Sequence, residues 1–344
     1  MRRPPGEIPG AFFLPQGRPH FLGVHPRSEL CYLKIMHNKS HTFPRSPQNR
    51  WVKCMSSQGS IRGVAIQATD LVRDLATLHG KTGRSAQALG EAVMGALLLA
   101  STAKGNERLN LNIQGSGLIR QALVDAYPDG KVRGYALERT SFNPDLGEAL
   151  VDGQVMGPWG MGLLSVLRTK IGELEKPYIG TVPLVTGHLA KDLTFYWLQS
   201  EQIPSAVGLA VTLENGIVKS AGGFLVQALT GASAEEIQAV EDNIQHLESL
   251  ASQLSAEADP VALLSRIFDN AAFTLLEERV LEFSCSCSWE RVNRALSLIG
   301  AVELQSMLDR EGFASIQCDF CTSDYRLERQ KLQELLDQVK KASE

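Results

Sequence analysis

Cys285-Ser286-Cys287-Ser288-Trp289-Glu290-Arg291-Val292, with Cys318-Asp319-Phe320-Cys321 following after thirty residues between Cys287 and Cys318, is the stretch on which the fold turns. C-x-C and C-x-x-C spacings each put two sulfurs within reach of one ion, and four thiolates in a tetrahedron suit Zn²⁺. The same closeness within each pair permits a disulfide once a metal leaves. Six cysteines in 344 residues, so clustered, do not make a secreted disulfide framework. They read as metal binding in a reducing compartment. A region as short as 281–344 has a thin core, so ligation is expected to supply much of its folding free energy. For small zinc modules that share is about 10 kcal/mol or more.

Inside this module Ser288 is placed to cap a helix through Val292, Leu296 and Ile299 that ends at Gly300. Glu303, Leu304, Met307 and Leu308 form a second short helix. Phe313 to Gln317 reads as a strand leading into Cys318, and Leu327 to Lys340 as a polar C-terminal helix. Upstream, residues 231–280 read as a helical linker. Ser233 with Glu236 is a capping box, and Ile237, Val240, Ile244, Leu247 and Leu254 make one apolar stripe. After Asp259-Pro260 a further helix is expected through Leu263, Ile267, Phe268, Ala271 and Leu275. The stripe must pack on something or stay exposed.

Residues 58–230 read as a mixed α/β domain with antiparallel hairpins, which makes the fold class α+β. Ile61 to Ile66 is a first strand, and Thr69 a cap for a helix through Leu71, Leu75 and Leu78. Ser85 to Lys104 is apolar almost all round, so that helix is expected to be buried. Leu109, Leu111 and Ile113 then alternate with polar residues, as a half-buried strand does. Tyr127-Pro128-Asp129-Gly130 and Glu214-Asn215-Gly216 are hairpin turns. The glycines at 157, 160, 162 and 172 lack both phosphate-cradle spacings and read as bends between strands. Gly222-Gly223 suggests a bulge or a close backbone approach. His188, at the head of a helix to Ser200, has no partner at metal or catalytic spacing.

Residues 1–54 differ from the rest: they hold eight of the fifteen prolines, four of the seven histidines, nine Lys/Arg and two acids. No period survives there, so the segment is expected to be a disordered extension. Met55-Ser56-Ser57-Gln58-Gly59 is a plausible native start, and an Arg-rich transit peptide or a genuine tail are the other readings. Cys31 and Cys54 lie in this segment as unpaired thiols without a role. A net charge of −4 argues against nucleic acid or an anionic membrane as partner. Around the cysteines, Glu282, Glu290, Glu303, Asp309, Glu311, Asp319 and Asp324 offset the arginines. No apolar run approaches the ~20 residues that span a bilayer. No Ser/His/Asp set, paired-carboxylate site or nucleotide loop stands in a fitting context, so the chain reads as a non-enzyme.

The chain resembles the heat shock protein 33 family of redox-regulated holdase chaperones from about Ile61 to Tyr325. The resemblance rests on Leu89-Gly90, on Gly130-Lys131-Val132-Arg133-Gly134-Tyr135 and on Ser200-Glu201-Gln202-Ile203-Pro204-Ser205-Ala206-Val207. Ala221-Gly222-Gly223-Phe224-Leu225 and the two cysteine pairs complete it. It implies a metastable linker and one Zn²⁺ per reduced chain on Cys285, Cys287, Cys318 and Cys321. It further implies oxidised pairs Cys285–Cys287 and Cys318–Cys321, and an ATP-independent holdase switched on by oxidation with partial unfolding. Unfolding client proteins, a homodimer on activation and downstream ATP-dependent foldase chaperones are the implied partners. The implied location is the cytoplasm, or an organelle if residues 1–54 are a transit peptide. The alternative is a constitutive structural zinc ribbon.

Overall fold

The computed structural model describes residues 43, 46–103, 105–139, 150–151, 154–172, 176–247, 249–255, 259–269 and 272–342. In chain order the elements begin with β1 (Arg50–Ser56), β2 (Ile61–Gln67), α1 (Thr69–Leu78) and α2 (Gly83–Ser101). There follow β3 (Glu107–Gly115), β4 (Ile119–Ala126), β5 (Lys131–Glu138) and the short pair β6 (Leu150–Val151) and β7 (Gln154–Val155). Next are β8 (Gly162–Lys170), β9 (Tyr178–Leu184), α3 (Leu189–Tyr196) with a π-helical turn over Trp197–Glu201, β10 (Ser205–Glu214) and β11 (Ile217–Ala228). The linker holds α4 (Ala234–His246), α5 (Leu250–Ser255) and α6 (Pro260–Phe268), then β12 (Phe273–Val280) and β13 (Glu282–Phe283). The C-terminal module is α7 (Trp289–Leu298), α8 (Ala301–Arg310), β14 (Ala314–Gln317), β15 (Asp324–Leu327) and α9 (Arg329–Ala342).

Two sheets enclose α2. One is antiparallel, in the order β10-β11-β2-β1-β12; the other runs β13-β5-β4-β3-β8-β9 and is antiparallel except where β13 joins β5 in parallel. Fifteen of the nineteen residues of α2 are buried, as its all-round apolar surface requires. Gly90 and Gly95 let its neighbours close in: a Cβ at Gly95 would stand 2.7 Å from Leu193 Cδ1. The five-stranded sheet is covered on both faces. Trp51, Val64, Ile66 and Leu225 point toward α1 and α2, while Val52, Cys54, Ala65, Phe224 and Val226 pack with Leu264, Ile267 and Phe268 of α6 and Val240 of α4. The linker stripe therefore has a partner.

The turns form as their residues dictate. Asn215 and Gly216 both take positive φ, 53° and 79°, as a primed two-residue hairpin turn demands. Tyr127-Pro128-Asp129-Gly130 closes β4 onto β5 with Gly130 N–H donating to Tyr127 O at 3.0 Å. Gly223 is a close approach and not a bulge, since a Cβ there would meet the carbonyl of Gly208 and the β10–β11 register shifts elsewhere, at Thr212/Leu213. At Gly157 and Gly162 the backbone lies against the carbonyls of Gly187 and Gln114, where a side chain has no room. Gly157 lies between strands as expected, whereas Gly162 is not a bend but the first residue of β8, paired with Gly115 and Leu184.

Three expectations are corrected. Residues 50–54, assigned to a disordered extension, form most of β1, a central strand hydrogen-bonded to β2 on one side and β12 on the other. Both of its faces are buried, so the period of two that marks a strand is absent from its sequence. Met55 stands inside that strand, after the core residues Trp51, Val52 and Cys54. Residues 1–42, with Cys31, lie outside the described residues. The linker is not helical to Leu275: α6 ends at Phe268, Ala271 is outside the described residues, and 273–280 is β12. Arg50–Glu278 and Lys53–Glu277 ion pairs tie β12 to β1. Thr69 does not cap α1. Its hydroxyl accepts from Ala221 N–H at 3.1 Å, binding the helix start to β11, and Ala68 is the N-cap. Among the described residues no helix is long and apolar enough to cross a membrane.

Candidate metal centre

The cysteines arrive on two supports, the segment from β13 to α7 and the β14–β15 hairpin. Leu281 and Phe283, 1 % and 0 % exposed, plug into the main core, and Ser284 N–H donates to Val132 O at 2.9 Å, so Cys285 leaves the end of β13 on the surface of the six-stranded sheet. Cys287 then precedes Ser288, whose hydroxyl accepts from Arg291 N–H and caps α7 as its sequence position predicts. Cys318 and Cys321 occupy the tip between β14 and β15. There Thr322 N–H donates to Cys318 O at 2.8 Å and Cys318 N–H to Ser323 O at 2.9 Å. No helix begins at Cys318, unlike the strand-to-helix placement of a thioredoxin-type pair.

All four expected sulfurs come together: each Sγ lies within 4.8 Å of the other three. A tetrahedral site with ~2.3 Å metal–sulfur bonds has sulfurs about 3.8 Å apart. Cys285 Sγ is 3.8 Å from Cys318 Sγ, and Cys287 Sγ is 3.3 Å from Cys321 Sγ. Both of these contacts join a sulfur of one pair to a sulfur of the other. The donor set suits a thiophilic metal ion, and four Cys at this spacing can hold one.

Each sulfur has a donor of its own. Tyr325 O–H lies 3.0 Å from Cys287 Sγ, and the Ser323 hydroxyl 3.0 Å from Cys321 Sγ. A hydrogen bond from Cys285 and the backbone N–H groups of Cys321 and Phe320 hold the Cys318 thiol down at about 4, against burial. Giving that hydrogen bond, together with burial, pushes Cys285 well above the ordinary thiol range. Burial pushes Cys321 up to about 11. The Cys285 and Cys318 shifts run in opposite directions because the Cys285 thiol donates to the Cys318 sulfur. Cys54 is the contrasting case: burial against Leu264 and Phe268 pushes it up to about 12, and it is an inert core thiol.

No pattern in the sequence singles out Tyr325, Ser323 or the Arg133–Asp125 pair near Cys285 for a role at this centre. Asp125 and Arg133 are half-legible, because the Pro128-Asp129 turn sets them opposite each other in the β4–β5 register. Outer donors to ligating groups commonly carry ten- to a hundredfold of metal affinity. Tyr325→Phe is accordingly expected to lower affinity about tenfold, measured by chelator competition under reductant, with the circular dichroism of the chain unchanged. An unaltered competition curve would rule the phenol out as a contributor.

The small core of the module is separate from the main one. Val292, Leu296, Leu304, Leu308, Ala314, Leu327, Leu332, Leu335 and Leu336 make it up, whereas Cys285 and Cys321 pack with the N-terminal core. The centre sits at the seam between the two.

Comparison with known proteins agrees with this architecture. A family model described as Hsp33 protein matches residues 49–328, beginning one residue before β1. The 33 kDa chaperonin of Geobacter sulfurreducens is 38 % identical over 292 residues, covering 84 % of this chain and 95 % of that one. That of Streptococcus thermophilus is 34 % identical over 294 residues, covering 84 % and 99 %. The crystal structure of the Thermotoga maritima 33 kDa chaperonin, a heat shock protein 33 homologue, superposes with a TM-score of 0.75 at 30 % identity, over 86 % of this chain and all of that one. With the family model spanning most of the chain and these relatives aligned nearly end to end, the chain belongs to the Hsp33 family.

Proposed function

We propose that this chaperone-family chain is an ATP-independent holdase whose cysteine centre is its switch. Reduced, Cys285, Cys287, Cys318 and Cys321 hold one Zn²⁺ and the protein is inactive. The ion, when bound, supplies the ligation energy that keeps two chain segments with a thin core of their own together. The observation that carries the reading is the position of the centre at the seam: Cys285 and Cys321 pack in the N-terminal core while the module they close has a separate, small one. Any change at these sulfurs acts on the docking of the module.

The chemistry of release follows from the sulfur neighbours. Contacts at 3.3 and 3.8 Å run between the pairs, Cys287 to Cys321 and Cys285 to Cys318. Disulfides Cys285–Cys287 and Cys318–Cys321 would run within them, leaving no bond across the seam. For each, two thiolates would give up two electrons and join in an S–S bond, and the O–O bond of one hydrogen peroxide breaks. Its oxygens take two protons from solvent and leave as two waters, the sulfurs so joined no longer holding the ion. Two peroxides oxidise all four cysteines. Once the module loosens, strain passes to β12 and β13, which join it to both sheets. Displacement of α4 and α6 would bare Val52, Ala65, Phe224 and Val226, an apolar sheet face fit to hold unfolding clients. Homodimerisation on activation, transfer of clients to ATP-dependent foldases and a cytoplasmic location belong to the same reading, as does the absence of an enzymatic activity.

Peroxide with mild heating is expected to release one zinc per chain, to give disulfides mapped as 285–287 and 318–321, and to suppress aggregation of a denatured test protein. Zinc loss without protection would remove the holdase. Burial of Cys321, 1 % exposed, and Cys285, 6 % exposed, favours the second reading, a constitutive structural zinc ribbon. Under that reading the metal stays bound and the thiols stay free through the same treatment.

A further inference from the structure

Three of the four sulfurs take their outer hydrogen bonds from the module itself, from Tyr325, from Ser323 and from the backbone at 320–321. Cys285 is different. Beside the backbone N–H of Cys287, the donor that reaches it is Arg133 Nη1, from β5 of the N-terminal domain, 4.0 Å from Sγ and at the outer limit of an N–H···S hydrogen bond. Among the described residues Arg133 is the cationic side chain from outside the module that approaches a cysteine sulfur.

Its guanidinium is tightly held. Nε and Nη2 donate to Asp125 Oδ2 at 2.9 and 2.7 Å, and the pair is nearly buried, with side chains 11 % and 5 % exposed. Asp125 is fixed in turn by Asn110 Nδ2 at 2.9 Å. The face of the guanidinium lies on the Phe320 ring, 4.1 Å from its centre, and Phe320 stacks edge-on against Tyr135. Nη1 also donates to Ser286 Oγ at 3.2 Å, which accepts at 2.5 Å from Arg291 of α7. One side chain of the sheet thus touches the middle of the C-x-C pair, the sulfur of its first cysteine and the aromatic ring inside the C-x-x-C pair.

A metal-loaded set of four thiolates carries a net charge of −2, and at partly buried sites a charge pair at ~4 Å is a substantial interaction. We propose that Arg133 is a positioning residue for the centre. Anchored on Asp125, it supplies the N-terminal domain's countercharge to Cys285, so that the anionic centre docks the C-terminal module onto β5. Breaking up the four-thiolate set, by removing the metal or by closing a disulfide, takes away the anionic partner that this charge faces. This rests on the proposed metal binding by the four cysteines, and names the residue through which their state reaches the sheet.

Removing Arg133 alone would strand Asp125 as an unpaired buried carboxylate. The test therefore compares D125N/R133M with D125N/R133K, full-length, zinc-loaded and under reductant. With a chromogenic chelator, zinc transfer is expected to be at least tenfold faster from the methionine variant than from the lysine variant. Equal rates would assign the residue to packing and overturn the countercharge. A second measurement needs no variant. Stripping zinc from the wild-type chain under reductant at pH 7 should raise hydrogen exchange at the Glu282 and Ser284 amides, which donate to Gly130 O and Val132 O, before that of β3 and β4. Persisting protection at those two amides would equally overturn the proposal. Neither experiment contains an oxidant, so failure of the redox switch would show separately, as zinc retained under peroxide.

Discussion

Replacing Cys321 with serine is expected to abolish stoichiometric zinc binding and to leave residues 284–342 unprotected, while the two-sheet core stays folded. Cys321 is 1 % exposed, is 3.3 Å from Cys287 Sγ, and belongs to the main core rather than to that of the module. A structural zinc site contributes about 10 kcal/mol or more to the folding of a small module. Nine buried side chains in the module's own core are a small reserve against such a loss. α7, α8 and α9 should therefore exchange and become protease-sensitive without any oxidant, and under the proposed function the variant should hold clients constitutively. Proteolysis with mass mapping reads the first outcome, and an aggregation assay under reductant the second. A C321S chain that kept one zinc and a protected C-terminal module would refute the claim that ligation holds this region together.

A chain begun at Met55 should fail to reach the wild-type fold, whereas one begun just before Phe43 should reach it. Trp51 is completely buried in the core beneath α1 and α2, and Val52 and Cys54 pack on the opposite face against α6. Truncating a buried Trp to Ala alone costs about 3–5 kcal/mol. Starting at Met55 removes that side chain, two further core residues and the ladder that joins β2 to β12. It also removes Asn49, whose carboxamide accepts from Asp70 N–H, and Phe43, stacked on Phe283 at 4.6 Å between ring centres. For a domain of this size ~1 kcal/mol is worth about 2–4 °C, so a fall of at least ~10 °C, or insolubility, is expected by thermal melt. Equal melting temperatures for the two truncated chains would mean that β1 adds nothing.

These two predictions separate what can be read locally from what cannot. The cysteine spacing, the Asn215-Gly216 hairpin, the Ser233/Glu236 capping box, the Ser288 cap and the buried α2 are legible in the chain, because each depends on residues a few positions apart. The same locality makes the α+β class and the clustering of the four cysteines readable from the order of residues. β1 and β12 are not legible in that way. Lys53 and Glu277 pair across 224 residues, and a strand buried on both faces, or one at an edge with Leu275 and Leu276 exposed, shows no alternation. The cap expected at Thr69 fails for a kindred reason, since β11, distant in sequence, claims that hydroxyl.

Taken by itself, the order of amino acids determined that four thiols would cluster and that the module carrying them would have a small core, since cysteine spacing and the supply of apolar residues are properties of the chain. Only the tertiary structure decided where the cluster sits and whose charge faces it. Arg133 and Cys285 are 152 positions apart, and no local pattern records a meeting that depends on β13 lying parallel to β5.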